Sequence, residues 1–309
     1  MEQEHKLTRR KQLLRLLVFL ALAGLFTLFS ADTIHGRWQF YLPKTIEVNG
    51  NEVVVDDTLA LNEMEEEDFG RDQRGRATYS GGETLTGMDV SVHQGKIDWA
   101  QVAKDDIDFV FLRAGFRGYG SGKIVEDPTF QYNWKGVMEN KLPVGVYFFS
   151  QAITPEEARE EARFTLALLD GRELDFPIVY DWEPVEQNYT DGDAVELESI
   201  RTYGISAETV TACALAFLEE VAAAGYEPMI YLNNDTGYFT YDIGQLQGLP
   251  VWFASYRTDW PDYYYAVQAW QYTQTGTVAG VTGPVDLNLW FLPSRQETGG
   301  NATDGNAVG

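Results

Sequence analysis

Between residues 86 and 293, short and nearly unbroken apolar runs recur, and stretches of helical periodicity separate the early ones. This alternation constrains the fold more than any other feature. The candidate strands are 87–92, 109–114, 144–150, 178–180, 229–232, 251–254, 266–272 and 285–289. Strands without polar alternation are buried on both faces, as in a parallel sheet covered by helices. Helices are expected at about 128–140, from Thr154-Pro155-Glu156-Glu157 to about Leu169, and from the cap residue Ser206 to about Gly225. Eight strands predict a barrel. The last three follow one another too closely for intervening helices, so the α/β fold expected is an irregular β/α barrel.

The flanks are of a different kind. Lys6, Arg9, Arg10, Lys11 and Arg15 precede an apolar run at 16–31, the pattern of a signal peptide or signal anchor. Phe29 is too bulky for the −3 position of a cleavage site before Asp32, which favours a retained transmembrane anchor over a cleaved signal. The basic segment 1–15 would then stay in the cytoplasm and the rest would be extracytoplasmic at the cell membrane. If the segment were cleaved, the protein would be secreted. Residues 32–85 are acidic and Gly-rich toward their end and are expected to form a solvated stalk, with a small hairpin at the Asn49-Gly50 turn signal. The tail, 294–309, is expected to be disordered.

Charge and rare residues exclude several functions. The net charge of −24 argues against nucleic-acid binding, which needs a basic face. One cysteine, Cys213, excludes an intrachain disulfide, and three histidines make a multi-histidine metal site improbable. Cys213 sits among alanines in a predicted helix and reads as a small buried hydrophobe. Gly115, Gly118, Gly120 and Gly122 lack the Gly-Lys-Ser/Thr ending of a phosphate loop. No cofactor and no obligate protein partner are indicated.

In a β/α barrel, function sits at the C-terminal ends of the strands. Asp89, Asp181, Glu183 and Asp286 all fall there. Asp181 and Glu183 are two apart, so on a strand they share a face, about 6.5–7 Å apart. Converging carboxylates raise one another's pKa, so one stays protonated while another ionises, which is the equipment of glycoside hydrolysis. The bland alternatives are a loop cap or a pairing with Arg113 for Asp89, and a turn residue beside Pro284 for Asp286. Tyr147, Tyr231, Trp252 and Trp270, with Gln271, are the candidates for stacking on and hydrogen-bonding to sugar rings. His93 is either a substrate contact or a loop hydrogen-bonder.

Several ordered motifs then point one way. Gly87-Met88-Asp89-Val90-Ser91-Val92-His93-Gln94-Gly95 with Ile97-Asp98-Trp99 resembles the opening motif of glycoside hydrolase family 25, the Ch-type lysozymes. Phe109–Gly115, Pro143–Ser150 and Tyr180-Asp181-Trp182-Glu183 resemble its second, third and catalytic strands. Val251–Ala254, Trp270–Thr273 and Val285–Asn288 resemble its late motifs, so the likeness spans about residues 86–293. It implies five β/α units plus three further strands, and N-acetylmuramidase activity on the β-1,4 bond between N-acetylmuramic acid and N-acetylglucosamine in peptidoglycan. It further implies Glu183 as proton donor, Asp181 as the group that orients the substrate's 2-acetamido group, and Asp89 and Asp286 as supporting carboxylates. Retention and inversion both stay open. Some members carry Tyr-His-Phe where this chain has Tyr147-Phe148-Phe149, a departure expected to alter a sugar contact. The competing readings are a non-catalytic peptidoglycan-binding module and a glucosaminidase or chitin-acting hydrolase.

Overall fold

The computed structural model describes residues 43–184 and 199–293. The anchor 16–31, the cytoplasmic segment 1–15 and the tail 294–309 lie outside the described residues. Among the described residues, no helix is long and apolar enough to cross a membrane. Contacts divide the chain at Lys44, and the larger unit, Thr45–Gly309, contains everything that follows.

In chain order the strands and helices are β1 (Lys44–Val48), β2 (Asn51–Val55), β3 (Phe69–Arg71), β4 (Ala77–Tyr79), β5 (Thr84–Val90), α1 (Trp99–Val102), β6 (Phe109–Arg117), β7 (Ile124–Glu126) and α2 (Phe130–Asn140). Then follow β8 (Val144–Ser150), α3 (Pro155–Leu169), β9 (Ile178–Trp182), α4 (Ala207–Ala223), β10 (Pro228–Asn233), α5 (Asn234–Phe239), β11 (Val251–Ala254), β12 (Ala269–Gly276) and β13 (Val285–Phe291). β5, β6, β8, β9, β10, β11, β12 and β13 pair in that order, and β13 pairs back to β5. The result is a closed eight-stranded barrel. Seven strands run parallel, and β13 is antiparallel to both neighbours. Helices follow β5, β6, β8, β9 and β10. β11, β12 and β13 follow one another without a helix, so the barrel is irregular as expected.

Strand alternation sorts the side chains into two cores. Phe109, Phe111, Tyr147, Val179, Met229, Tyr231, Trp252 and Ala269 fill the barrel interior. Their neighbours one residue away, such as Val110, Val146, Ile178, Ile230, Phe253 and Trp270, face outward under the helices. Gly87 matters here, because a Cβ at that position would run into the Phe109 ring. The caps are local. Thr154 Oγ1 accepts from the Glu157 backbone, while the Glu157 carboxylate returns its bond to Ile153 rather than to the cap residue itself. Ser206 caps α4 through Thr209.

The expected stalk needs correction. The hairpin forms at Asn49-Gly50, but residues 56–85 pack on the barrel rather than standing in solvent. Asn62 donates to the Pro261 and Tyr263 carbonyls at 2.7 and 3.1 Å. Phe69 meets Trp270 edge-on at 5.5 Å, and Tyr79 meets Phe291 at 5.4 Å. Buried Arg76 ion-pairs with Asp105 at 2.7 Å. The physical reason is that β12 and β13 have no covering helix. Their outward aromatics need a lid, and the few apolar residues of this acidic segment supply it.

Candidate active site

A groove of about 580 Å³ opens at the C-terminal rim of the barrel, within the range usual for ligand sites. Asp89, Asp181, Glu183 and Asp286 all line it. Strand period places them there. Asp89 on β5 and Asp286 on β13 are direct cross-strand partners. On β9, Asp181 faces inward while Tyr180 and Trp182 face the outer core. Arg113 does not pair with Asp89. Its Nε donates to Asp127 at 2.8 Å, and Asp127 also accepts from the Val92 backbone at 3.0 Å, which fixes the loop after β5.

Asp89 is the best-anchored carboxylate. Its Oδ2 accepts from Gln271 Nε2 at 2.8 Å and from Asn288 Nδ2 at 2.9 Å. Gln271 Oε1 accepts from the hydroxyls of Tyr231, at 2.9 Å, and Tyr256. Asn288 Oδ1 accepts from Trp252 Nε1 at 2.8 Å. Burial pushes Asp89 up to about 6, although the Asn288 and Gln271 bonds pull the other way. Burial, together with the charge and hydrogen bond of Asp89, pushes Asp286 up to about 8. Like charges directly opposite in a sheet are unfavourable, so this pair holds a proton across the neutral range. Asp181 is also raised well above the usual carboxylate range, by burial first and then by the charges of Glu183 and Asp89 and a hydrogen bond with Glu183. Asp181 Oδ1 is buried with no hydrogen-bond partner.

Glu183 follows the last residue of β9, where the ladder ends at the Ser150–Trp182 pair. The next acceptor, the Glu183 carbonyl, is taken by a side chain: Gln151 Nε2 donates to it at 2.8 Å. Gln151 is itself held. Thr202 donates to its Oε1 at 3.2 Å, and Arg201 donates to its carbonyl at 3.0 Å while pairing with Glu157 at 2.6 Å.

The expected sugar-binding residues divide. Tyr147, Tyr231, Trp252 and Gln271 line the groove, but as its floor; Trp252 is 1% exposed and stacks on Phe111 at 4.8 Å. Trp270 does not reach the groove. It is fully buried in the outer core, and its Nε1 donates to the Ser255 carbonyl at 3.1 Å. Gln271 takes the inward position on β12, so its neighbour Trp270 must face out. Phe148 also faces out, against Phe164 and Phe217, so the departure from Tyr-His-Phe does not touch the groove. His93 sits on the rim. Two further groove residues lay outside the expected sugar-binding set: Tyr256, one of the aromatics marking the sixth strand and 43% exposed, and Asn49 from the hairpin. The position of Tyr256 two residues past the end of β11 was the available signal. For Asn49 there was none, because the hairpin lies far from the barrel in sequence.

Among the described residues, no group of three or more His, Cys, Asp or Glu could hold a metal ion. The sequence model of "Glycosyl hydrolases family 25" matches residues 88–281. The protein YegX of Escherichia coli strain K12 is 31% identical over 210 residues, covering 67% of this chain and 70% of that protein. The autolytic lysozyme of Clostridium acetobutylicum is 22% identical over 205 residues, covering 66% of this chain and 55% of that enzyme. In three dimensions, the modular autolysin LytC from Streptococcus pneumoniae, solved with a synthetic peptidoglycan ligand, superposes with a TM-score of 0.58 at 21% identity. The match covers 80% of this chain and 58% of LytC. A family 25 glycosyl hydrolase from Bacillus anthracis gives 0.55 at 21% identity, covering 72% of this chain and 96% of that one. These structural likenesses carry the fold.

Proposed function

The chain belongs to glycosyl hydrolase family 25, and from that membership we propose that it is a lysozyme that hydrolyses the β-1,4 bond between N-acetylmuramic acid and N-acetylglucosamine. The observation that carries the reading is the convergence of Asp89, Asp181, Glu183 and Asp286 in one groove at the C-terminal rim of the barrel. A binding module has no use for four buried or half-buried carboxylates that cost stability by their burial and mutual repulsion.

In the proposed reaction, Glu183 donates a proton to the leaving glycosidic oxygen. The 2-acetamido carbonyl oxygen attacks the anomeric carbon as the glycosidic bond breaks. The buried Asp181 Oδ1, which no protein group satisfies, accepts the acetamido N–H and orients that group. Glu183, now ionised, takes a proton from the water that opens the cyclic intermediate. This is the substrate-assisted variant of carboxylate catalysis. Asp89 and Asp286 hold the neighbouring charge low by sharing their own proton.

The substrate is a wall polymer, so the reading also places the domain outside the cytoplasm. The basic residues 6–15 and the apolar run 16–31 support a membrane tether. The test of the activity is the clearing of a peptidoglycan suspension. Glu183→Gln lowers turnover about 10²–10⁴-fold, the usual share of a positioned acid, while the protein still sediments with peptidoglycan. Full activity in that variant removes Glu183 from the mechanism.

A further inference from the structure

Residues 44–55 precede the family-matched segment 88–281, yet their turn stands in the wall of the groove. The hairpin is locally well specified. Asn49 at φ 50° and Gly50 at φ 77° both adopt the left-handed backbone that a two-residue hairpin turn demands. Asn is among the few residues with a side chain that enter this region readily. Val48 at the turn end of β1 and Val55 at the far end of β2 are both buried. The chain just beyond is stapled to the barrel. The Asp56 N–H donates to the Tyr265 hydroxyl at 3.0 Å, and Ala266 and Asn62 exchange backbone bonds with Ala60 and Tyr264 at 2.9 and 3.1 Å.

At the tip, Asn49 Nδ2 donates to Asp235 Oδ1 at 3.0 Å. Both residues line the groove, beside Asn233 and Arg257. Asp235 lies in α5, immediately past the inward end of β10. An element from outside the family domain and an element of the barrel therefore meet across one edge of the groove.

We propose that the Asn49–Asp235 edge is a sugar-binding subsite beyond the catalytic carboxylates, and that the hairpin thereby sets preference for longer glycan chains. The inference rests on the lysozyme reading. Its ligand is a sugar ring of the glycan chain, recognised through hydroxyl and N-acetyl groups. The Asn49 amide supplies a donor and an acceptor, and the Asp235 carboxylate an acceptor.

The experiment uses the full chain with Glu183→Gln, so that glycans stay intact, and measures calorimetric binding of peptidoglycan fragments of two, four and six sugars. Asn49→Gly keeps the left-handed turn and removes the amide. Asp235→Ala removes the carboxylate. Val54→Thr is the control, on an exposed hairpin face that does not line the groove. The expected result is a loss of about three- to tenfold in hexasaccharide affinity for Asn49→Gly and for Asp235→Ala, the worth of one or two exposed hydrogen bonds, with Val54→Thr unchanged. Hexasaccharide binding unchanged in both groove variants overturns the subsite and leaves the lysozyme reading intact. An equal loss in Val54→Thr also overturns it, by assigning the effect to hairpin folding. No binding of any fragment by the parent protein overturns the lysozyme reading, and the subsite falls with it.

Discussion

Tyr180 and Asp181 are neighbours in the chain and end in opposite environments, one under the helices and one in the groove. That single step of register explains both what the sequence made legible and what it hid. The Asp181-x-Glu183 spacing could be read as one face of a strand before any coordinates. The same rule, applied to Trp270-Gln271, assigns only one of the two to the groove, and the sequence does not say which. Gln271 wins because Asp89 needs its amide, and Trp270 is left to pack against Phe69. The distinction is measurable. Trp270→Ala lowers unfolding free energy by about 3–5 kcal/mol, the usual cost of emptying a buried aromatic site. Tyr256→Ala raises KM for glycan and leaves the denaturation midpoint within experimental scatter, since its ring is exposed. Denaturant titration and steady-state kinetics on the two variants check both, and a KM effect from Trp270→Ala without loss of stability contradicts the placement.

The elements came through well where propensity and burial agree. The eight barrel strands, the helices α2, α3 and α4 and the Asn49-Gly50 hairpin were all readable from apolar runs, caps and turn residues. The lid formed by residues 56–85 was not, because average composition hides a few apolar residues placed to cover two bare strands. The junction of β8 with β9 was also invisible, since nothing in Gln151 signals that it takes over the hydrogen bond where the strand ladder stops. Gln151→Met keeps the volume and removes the donor to the Glu183 carbonyl. We expect kcat to fall about ten- to a hundredfold with KM within about twofold, because a small displacement of the acid costs rate and not binding. A rise in KM at unchanged kcat would mean that Gln151 serves the substrate rather than the acid.

Taken whole, the molecule carries a proton reservoir in its barrel mouth. Asp89 at about 6, Asp286 at about 8 and Asp181, raised well above the usual carboxylate range by burial, keep protons that the unfolded chain has already released. Buried Glu161, pushed by burial to about 7 despite its bonds to Ser150 and Arg117, adds to this. Through these four groups the native state binds more protons than the unfolded state from about pH 4 to about pH 8, and their contribution to stability falls as pH rises through that window. The Tm at pH 5 should exceed that at pH 8 by several degrees, and Asp286→Asn should shrink the difference. A Tm that rises over the same range contradicts the shared-proton picture. The same cluster is assigned the hydrolysis, and the products report on it most directly. Peptidoglycan digested by the full chain is reduced with borohydride, and its new ends are identified by mass spectrometry. Muramitol ends are expected from the parent protein and none from Glu183→Gln; glucosaminitol ends would overturn the bond specificity, and equal release by the variant would remove Glu183 from the reaction.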